Sequence, residues 1–508
     1  MERRESMEDD EPLISLEQRV EPCENQTSDP HKGFTFRRCM ILPLLTCYLL
    51  AGGVFVYESP QYTQQRMLQK YADEINKKNA SVMLKSLHDK VLPTNHCSVN
   101  QSDPSYANYD KAQKDTAMWL MYFTLAQLIP ALFANLLWSS YSDILGRRFS
   151  LIISFSGTTI RIGIFAAVVY FELDLLYLVI GAAVDGFCGA FMLLFAATFS
   201  YVSDITYPGK QRTIAIVGVE LLLGVTLSIA SFASGFIISD TGFFYPAFVC
   251  FCVDVLGFFI LLFLVPETRQ LNNSQGHSVN VFKVLAESLK FYCSSGTKIK
   301  RIKYILLMLA FLFMGMPALN RGTMEMLYQL GRPFCWDAKK IGYFGAIKTV
   351  IAAISGMGGT YIFRRCMADD TIASMSILIT VGSYIVEGLA ATDAILYLIP
   401  VLAMLSALPI PMIRSLMSSL TPADKQGAMF ASIGFVEVLC SLIGSVSSTA
   451  VYTATLSVMN GFVFMLLALL TFIGAVFMLL FMFVNRRYKD DPVEDIVIVS
   501  DDDPSLID

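Results

Sequence analysis

The chain has 508 residues, of which 54% are hydrophobic and only 16% are charged, whereas an ordinary soluble domain carries about 25% charged residues. Its mean hydropathy of +0.54 excludes a soluble enzyme, a nucleic-acid-binding protein and a disulfide-rich secreted module, and a membrane β-barrel is excluded because barrel strands run for only about 10 residues. The formal net charge of −5 divides into −12 in two acidic terminal segments, residues 1–37 and 489–508, and +7 in the residues between them.

Both tails, residues 1–38 and 485–508, lack apolar periodicity and are predicted to be disordered. Each tail contains an acidic dileucine pattern: Asp9-Asp-Glu-Pro-Leu13-Ile14 and Asp502-Asp-Pro-Ser-Leu506-Ile507. Sorting adaptors read such patterns on the cytosolic side of a membrane. The two motifs therefore favour an endolysosomal membrane, with the plasma membrane as the alternative.

Apolar runs between charged breaks predict an all-α membrane protein, because the longest of them exceed the about 20 residues that cross a bilayer as a helix. Twelve spans, numbered 1 to 12 in chain order, are predicted at 39–57, 117–138, 149–171, 175–201, 213–239, 243–265, 302–330, 341–363, 371–390, 394–418, 426–451 and 459–484. The first of these follows a long acidic segment and is expected to act as an uncleaved signal anchor.

A hydrophilic central loop, 266–301, separates six spans from six. This layout predicts two pseudo-symmetric six-helix bundles, an N-terminal half over 39–265 and a C-terminal half over 302–484. The N-terminal half is interrupted by a long polar stretch, 58–116, which is predicted to be an outer loop.

Lysine and arginine residues near the span ends predict the orientation. Most basic clusters fall on one side of the membrane: Arg37–Arg38, Arg147–Arg148, Lys210–Arg212, Arg269–Lys303, Arg364–Arg365, Lys425 and Arg486–Lys489. The opposite loops are acidic or neutral, except the loop after span 7. Both tails and the central loop are therefore predicted to be cytosolic.

Only two of the eleven cysteines, Cys97 and Cys335, fall in predicted outer loops, one in each half. In an oxidising lumen they are expected to form a disulfide that joins the halves, with two free thiols as the alternative. The sequons at Asn79 and Asn100 lie in the long outer loop and are candidate N-glycosylation sites.

The turn after span 2 reads Ser139-Ser-Tyr-Ser-Asp143-Ile-Leu-Gly146-Arg147-Arg148. It resembles the G-x-x-x-D-x-x-G-R-R gating motif of the major facilitator superfamily, with serine in place of the first glycine. Span 6 ends in Pro266-Glu-Thr-Arg269, which is close to another signature of that superfamily. The resemblance implies that Asp143, Gly146, Arg147 and Arg148 form a tight turn whose ion pairs open and close one face of the protein.

Three further blocks narrow the resemblance to solute carrier family 46, which includes the proton-coupled folate transporter: Arg212–Gly224 in span 5, Leu327–Tyr343 after span 7, and Pro411–Phe430 around spans 10 and 11. The family implies proton-coupled import of folates and other organic anions. The folate-transporting relative has a histidine in span 7 where this chain has Ala318, and this difference argues against folate itself.

Ionisable residues at membrane depth are rare and usually face a cavity or a partner. Both halves supply both signs of charge in their spans: Arg161, Asp185, Glu220 and Asp254 in the first half, and Arg321, Glu325, Lys348, Glu387, Arg414 and Glu437 in the second. This distribution is typical of a solute site between two bundles.

All four histidines lie outside the spans, so proton coupling must depend on carboxylates whose charged form is disfavoured by desolvation. Glu220 is the first candidate, because it lies in an apolar run and matches the span 5 glutamate of the family. Asp185 is the second candidate. A simple ion pair with a neighbouring base is the alternative for each, and Asp254 is interpreted as structural.

Arg414 is the leading candidate for binding a substrate carboxylate, because a guanidinium donates two parallel hydrogen bonds. It matches the span 10 arginine of the family, and gating is its alternative role. Lys348 is expected either to attract the anion or to neutralise a carboxylate in the resting state. Arg161 could bind substrate or pair with Asp185, and Arg321 and Glu325, spaced i, i+4, are predicted to pair locally.

These features predict a secondary active transporter, most simply a proton-coupled symporter of a small anionic or zwitterionic solute of the folate or muropeptide kind. The alternatives are a proton-independent facilitator and a non-transporting membrane receptor or scaffold. No Walker A loop, H-E-x-x-H motif or G-x-S-x-G elbow occurs, so no enzymatic activity, cofactor or metal is predicted. The expected partners are the solute, protons, the lipid bilayer and sorting adaptors.

Overall fold

The computed structural model describes residues 36–79, 104–207, 210–268, 298–421 and 426–488, and each predicted span coincides with a helix or a group of helices. Their bounds are Phe36–Cys39 and Ile41–Asn79 for span 1, Pro104–Leu145 for span 2, Arg147–Phe171 for span 3, Leu176–Phe187 and Ala190–Ile205 for span 4, Lys210–Thr241 for span 5, Phe244–Phe263 for span 6, Lys298–Leu330 for span 7, Ala338–Phe363 for span 8, Asp369–Gly388 for span 9, Asp393–Leu402, Met404–Ala407 and Pro409–Leu420 for span 10, Gln426–Thr455 for span 11 and Phe462–Arg487 for span 12.

Within these described ranges, ten helices are long and apolar enough to cross a membrane. The two main helices of span 10 together form an eleventh span, bent by 48°. Span 8 is the remaining helix of the predicted twelve, and its first half contains three lysines, Lys339, Lys340 and Lys348. The chain is therefore an all-helical, multi-pass membrane protein.

Two of the spans are broken in the middle. Span 4 is interrupted at Gly189, whose φ of +88° suits glycine because a Cβ there would crowd the backbone. Span 10 is interrupted between Leu402 and Pro409, where a short 3-10 helix replaces the α-helix because proline lacks the amide hydrogen that a continuous helix needs. The break in span 4 lies four residues after Asp185.

The two halves share one apolar core at one end of the bundle and have separate cores at the other. We call the end with Glu172, Asp240 and Asp393 the outer end, following the predicted orientation, and the opposite end the inner end. The outer core joins residues of both halves, among them Phe165 and Leu327. The inner cores are each confined to one half: Leu151, Tyr201 and Leu261 in the first, and Tyr304, Phe311 and Met412 in the second.

Polar contacts reinforce the closure of the outer end. The Gln113 amide donates to the Leu327 carbonyl at 3.0 Å and to the Tyr452 hydroxyl at 2.7 Å. Lys339 of span 8 pairs with Asp240 of span 5 at 2.9 Å. These bonds join the N-terminal half to the C-terminal half, so the two halves are held together at the outer end in this conformation.

The predicted outer loop 58–116 is helical in both of its described parts. Span 1 continues to Asn79, and span 2 begins at Pro104. The helices extend past the apolar runs because polar side chains on these extensions have partners: Tyr109 and Gln64 both donate to the Leu330 carbonyl. Hydropathy alone predicts helices that are too short here, because the polar side chains of the extensions are buried and hydrogen-bonded.

Candidate functional site

A cavity of about 550 Å³ lies between the two halves, below the closed outer end. Its walls are mostly aromatic and aliphatic, and they are formed by residues of spans 1 to 5 together with Thr323 and Thr349 of the C-terminal half. The main lining residues are Tyr48, Leu49, Phe55, Val56, Tyr57, Leu120, Phe123, Ile162, Phe191, Phe195, Leu223 and Leu227. This volume and lining are typical of a site for a drug-sized apolar molecule.

The polar part of the cavity wall is centred on Asp185. Its carboxylate lies 3.1 Å from Nη1 of Arg161, which confirms the predicted ion pair. The Gln127 amide donates to Oδ2 at 2.8 Å, and the Thr158 hydroxyl donates to Oδ1 at 3.0 Å. The guanidinium of Arg161 also lies over the ring of Phe55, 4.7 Å from its centre, a geometry that favours the cation.

The backbone of span 4 explains why these groups meet. Gly186 follows Asp185 directly, and a Cβ at this glycine would lie only 2.1 Å from the carbonyl oxygen of Gln127. Spans 2 and 4 are therefore in backbone contact at this level, which places the Gln127 side chain beside the carboxylate. Only glycine permits such an approach.

In this arrangement an anionic solute could replace the Asp185 carboxylate as the partner of Arg161. While Asp185 is charged, it satisfies Arg161 and accepts hydrogen bonds from two neighbours. When Asp185 binds a proton, Arg161 loses its counter-charge and can bind an anionic group that enters the cavity, because a buried cation without a partner is unfavourable.

A smaller chamber of about 120 Å³ adjoins the cavity, and the two share lining residues of span 1 and span 7, namely Val56, Tyr57, Pro60 and Thr323. Glu325 of span 7, Lys348 of span 8 and Gln329 lie on its wall. Lys348 donates to Oε2 of Glu325, which agrees with the expectation that Lys348 neutralises a carboxylate in the resting state.

The predicted local pair of Arg321 with Glu325 is wrong. Nη2 of Arg321 lies 2.7 Å from Oε2 of Glu387 on span 9, and Glu325 is paired with Lys348 instead. Glu387 and Glu325 are both buried, so each requires its own cation, and the two cations come from different spans. Contacts between spans override the i, i+4 spacing here.

Two of the predicted residues lie away from the Asp185 cluster. Glu220 is exposed and does not line either cavity, although it lies on the same helix face as Leu223 and Leu227, one turn closer to the inner end. Arg414 pairs with Glu437 of span 11 at 2.6 Å and also lies outside both cavities. The structure therefore brings together Arg161 and Asp185, with Lys348 in the adjoining chamber. Substrate binding by Arg414 and proton coupling by Glu220 stay predictions.

The turn after span 2 joins three elements at the inner end. Gly146 has a φ of +102°, and the Glu267 carboxylate accepts hydrogen bonds from the backbone amides of Arg147 at 2.9 Å and Arg148 at 3.0 Å. This carboxylate therefore satisfies the amides at the start of span 3, where the helix dipole favours an anion. The side chain of Asp143 lies outside the described residues, so the gating role of the motif stays a prediction.

Several predicted sites lie outside the described residues. These are Cys97, Asn100, the side chain of Asn79 and both dileucine motifs. Cys335 is disulfide-bonded, but its pairing with Cys97 stays a prediction.

Two further carboxylates are buried in the N-terminal half. Asp254 is fully buried and accepts a hydrogen bond of 2.6 Å from the Thr159 hydroxyl, a partner that its apolar neighbours in sequence did not indicate. Glu58 is also fully buried; no side chain in the described part of the chain donates to its carboxylate, and the backbone amide of Ala247 is the polar group beside it. Glu58 was not among the predicted candidates because residue 58 fell in the predicted outer loop 58–116. The i, i+4 spacing of Val54, Glu58 and Tyr62 on one buried face could have revealed it.

Replacement of Glu58 by glutamine is expected to stabilise the protein at neutral pH by about 1–3 kcal/mol, because a buried carboxylate to which no side chain donates carries a desolvation penalty of this order. Thermal unfolding of the purified protein at about pH 7.4 would measure the change. Asp254→Asn is the matched control, since Oδ2 of Asp254 accepts a hydrogen bond from the Thr159 hydroxyl and the variant should gain less. A lower melting temperature for Glu58→Gln would show that the charged carboxylate is stabilised in the fold.

Comparison with known proteins identifies relatives over most of the sequence. The pattern of the Major Facilitator Superfamily matches residues 104–445. The lysosomal proton-coupled steroid conjugate and bile acid symporter SLC46A3 of Bos taurus is 26% identical over 397 residues, covering 78% of this chain and 86% of the relative. The proton-coupled folate transporter of Bos taurus is 27% identical over 382 residues, covering 75% of this chain and 82% of the relative.

Solved structures show the same fold at low sequence identity. The nucleoside transporter NupG covers 88% of this chain and 99% of its own, with a TM-score of 0.61 and 11% identity. The match with the D-xylose–proton symporter covers 87% of this chain and 96% of the symporter, with a TM-score of 0.59 and 13% identity. The likeness to these transporters extends over most of each chain and concerns the fold.

Proposed function

The chain belongs to the Major Facilitator Superfamily, and from this premise we propose that it is a proton-coupled symporter of organic anions that have a large apolar body. It is a transporter of this superfamily and not an enzyme. The proposed cycle is alternating access, in which the two halves rock about the central cavity and the state described above is closed at the outer end.

The ion pair of Arg161 with Asp185 in an otherwise apolar wall is the observation that carries this proposal. The aromatic lining offers the apolar body of the solute a surface, and Arg161 offers its anionic group a partner. Because Asp185 already neutralises Arg161, an anion can take its place only when the carboxylate is protonated. One proton therefore accompanies one negative charge.

The chemistry of the cavity favours a steroid conjugate or bile acid over a folate. Folates have a polar pterin ring and two carboxylates, and these groups would need many more hydrogen-bond partners than the aromatic walls provide. Ala318 stands where the folate-transporting relative has a histidine. The name of the SLC46A3 relative, a steroid conjugate and bile acid symporter, agrees with this assignment.

The protein is proposed to reside in an endolysosomal membrane with both tails in the cytosol, where adaptors would bind the dileucine motifs. The acidic lumen would then drive export of the solute to the cytosol. Glu220, which is exposed and lies one turn from Leu223 toward the inner end of span 5, is proposed to accept protons that leave Asp185. Arg414 is proposed to attract the anion near the inner end of the C-terminal half.

Uptake by cells that express the protein at the surface would test this function. Alanine at Leu13, Ile14, Leu506 and Ile507 should redirect the protein to the plasma membrane. We expect uptake of labelled estrone 3-sulfate to be several-fold faster at an outside pH of about 5.5 than at about 7.4, with little uptake of folic acid or of a muropeptide. Acid-stimulated uptake of folic acid or muropeptide alone would overturn the solute class. No uptake of any probe, with surface expression confirmed, would favour a non-transporting receptor.

A further inference from the structure

Four charged side chains form a compact group in the C-terminal half, which we call the charge quartet: Arg321, Glu325, Lys348 and Glu387. They come from spans 7, 8 and 9 and make two ion pairs, Arg321 with Glu387 and Lys348 with Glu325. The quartet has two acids and two bases, so it carries no net charge when all four groups are ionised. Arg321, Glu325 and Glu387 are all buried.

Lys348 is the most accessible member of the quartet. Its side chain is 34% exposed, whereas that of Glu325 is 4% exposed, and both line the small chamber that adjoins the central cavity. The chamber also contains an unused donor, because Nε2 of the buried Gln329 has no hydrogen-bond partner within the described residues. A cation and an amide donor on one wall are the groups that bind a sulfate, sulfonate or carboxylate.

Neutrality of the quartet determines what must happen when such a group enters. An anion bound to Lys348 would leave Glu325 without a cation, because the only other base of the quartet, Arg321, is held by Glu387 at 2.7 Å. The site would then contain an excess negative charge in a buried environment, which is strongly unfavourable. A proton on Glu325 restores neutrality and releases Lys348 to the anion.

Glu325 is better placed to receive this proton than Glu387. Glu387 does not line the chamber, whereas Glu325 lies on the chamber wall beside Lys348. The charged and titratable groups around it are Lys348 of span 8, Arg321 of its own span, Glu387 and Tyr384 of span 9, and Tyr57 of span 1 across the chamber.

We propose that this chamber is a second anion subsite, in which Lys348 binds a second acidic group of the solute and Glu325 takes up the accompanying proton. The inference rests on the proposed function and extends it: the solutes include elongated apolar molecules with an acidic group at each end. One end binds at Arg161 with a proton on Asp185, and the other binds at Lys348 with a proton on Glu325. A solute with one acidic group then moves with one proton, and a solute with two moves with two.

Proton uptake by the purified protein in weakly buffered detergent solution tests this subsite. Estrone 3-sulfate carries one acidic group, and taurolithocholate 3-sulfate carries one at each end of the steroid. With a pH indicator, the wild type should take up about one more proton per bound molecule of the second probe than of the first. In Glu325→Gln this difference should disappear, while uptake with estrone 3-sulfate is unchanged. Lys348→Met should weaken binding of taurolithocholate 3-sulfate at least tenfold and leave binding of estrone 3-sulfate intact.

Two further variants keep the result interpretable. The double variant Glu325→Gln, Lys348→Met is charge-balanced and should fold even if a single variant does not, and it should bind both probes with equal proton uptake. Asp369→Asn, which removes an exposed ion pair with Arg364, is the control and should behave like the wild type. Equal proton uptake with both probes in the wild type, or an unchanged difference in the glutamine variant, would overturn the second subsite. No proton uptake with either probe would instead overturn the proposed symport itself.

Discussion

Asparagine in place of Asp185 is expected to reduce acid-stimulated uptake at least tenfold and to leave the remaining uptake independent of pH. The carboxylate pairs with Arg161 and accepts hydrogen bonds from Gln127 and Thr158. A carboxamide neither binds nor releases a proton in this pH range, and it offers Arg161 no counter-charge. Because a hydrogen bond to a charged group contributes about 1.5–3 kcal/mol and about 1.4 kcal/mol corresponds to a tenfold change in rate, tenfold is the lower limit.

The measurement is initial uptake of labelled estrone 3-sulfate across a pH series, normalised to the amount of protein at the surface. Asp254→Asn is the matched control, since it makes the same substitution at another buried aspartate of the same half that lies outside the cavity. The control should keep both the rate and the pH dependence. If Asp185→Asn kept the pH dependence, the coupling proton would have to bind elsewhere, and Glu220 would become the first residue to test.

The double variant Arg161→Met, Asp185→Asn separates the two roles of the pair. It removes both charges, so the cavity wall stays neutral and the fold should be preserved. We expect no acid stimulation and at least a tenfold loss of estrone 3-sulfate binding, because neither the proton acceptor nor the anion partner is present. Retained binding would show that the anion is held by another cation.

Helices and contacts between consecutive spans could be predicted from the sequence, because they depend on local composition and on segments that are adjacent along the chain. Twelve apolar runs became helices or groups of helices, and the superfamily motif predicted a tight turn that Gly146 adopts with a positive φ. The ion pair of Arg161 with Asp185 was also predicted, because spans 3 and 4 are consecutive and antiparallel neighbours pack together.

Partners on distant spans could not be predicted in the same way. Glu387 lies far along the chain from Arg321, and nothing in the spacing indicates that span 9 supplies the counter-charge while span 8 supplies Lys348 to Glu325. Glu58 was missed for a different reason. Hydropathy ended span 1 at residue 57, whereas the helix continues to Asn79 and its polar extension is packed inside the protein.

Valine in place of Gly342 is expected to abolish transport by preventing closure of the outer end. Spans 5 and 8 approach each other here through two glycines. A Cβ at Gly342 would lie 2.9 Å from Cα of Gly235 and 2.9 Å from the carbonyl oxygen of Ser231. Backbone atoms cannot move aside as a flexible side chain can, so the two spans would have to separate. The neighbouring pair of Lys339 with Asp240, now 2.9 Å apart, would then be pulled open.

Two measurements would test the Gly342→Val prediction. Uptake of estrone 3-sulfate should fall at least tenfold, because a transporter that cannot close its outer end cannot complete the cycle. Thr323 lines the central cavity, and a cysteine introduced there reports access from the outer side. It should react faster with a membrane-impermeant thiol reagent in the Gly342→Val variant than in the protein with glycine at residue 342.

The matched control is Gly358→Val on the same span, where a Cβ meets nothing within 4 Å. Both variants place the same β-branched residue in the same helix, so any difference between them reflects the contact with span 5 and not helix propensity. The control should transport normally and leave the introduced cysteine protected. Normal uptake by Gly342→Val with the cysteine still protected would mean that the outer end closes without the backbone contact of spans 5 and 8. The outer core around Phe165 and Leu327 would then be the element that seals the cavity.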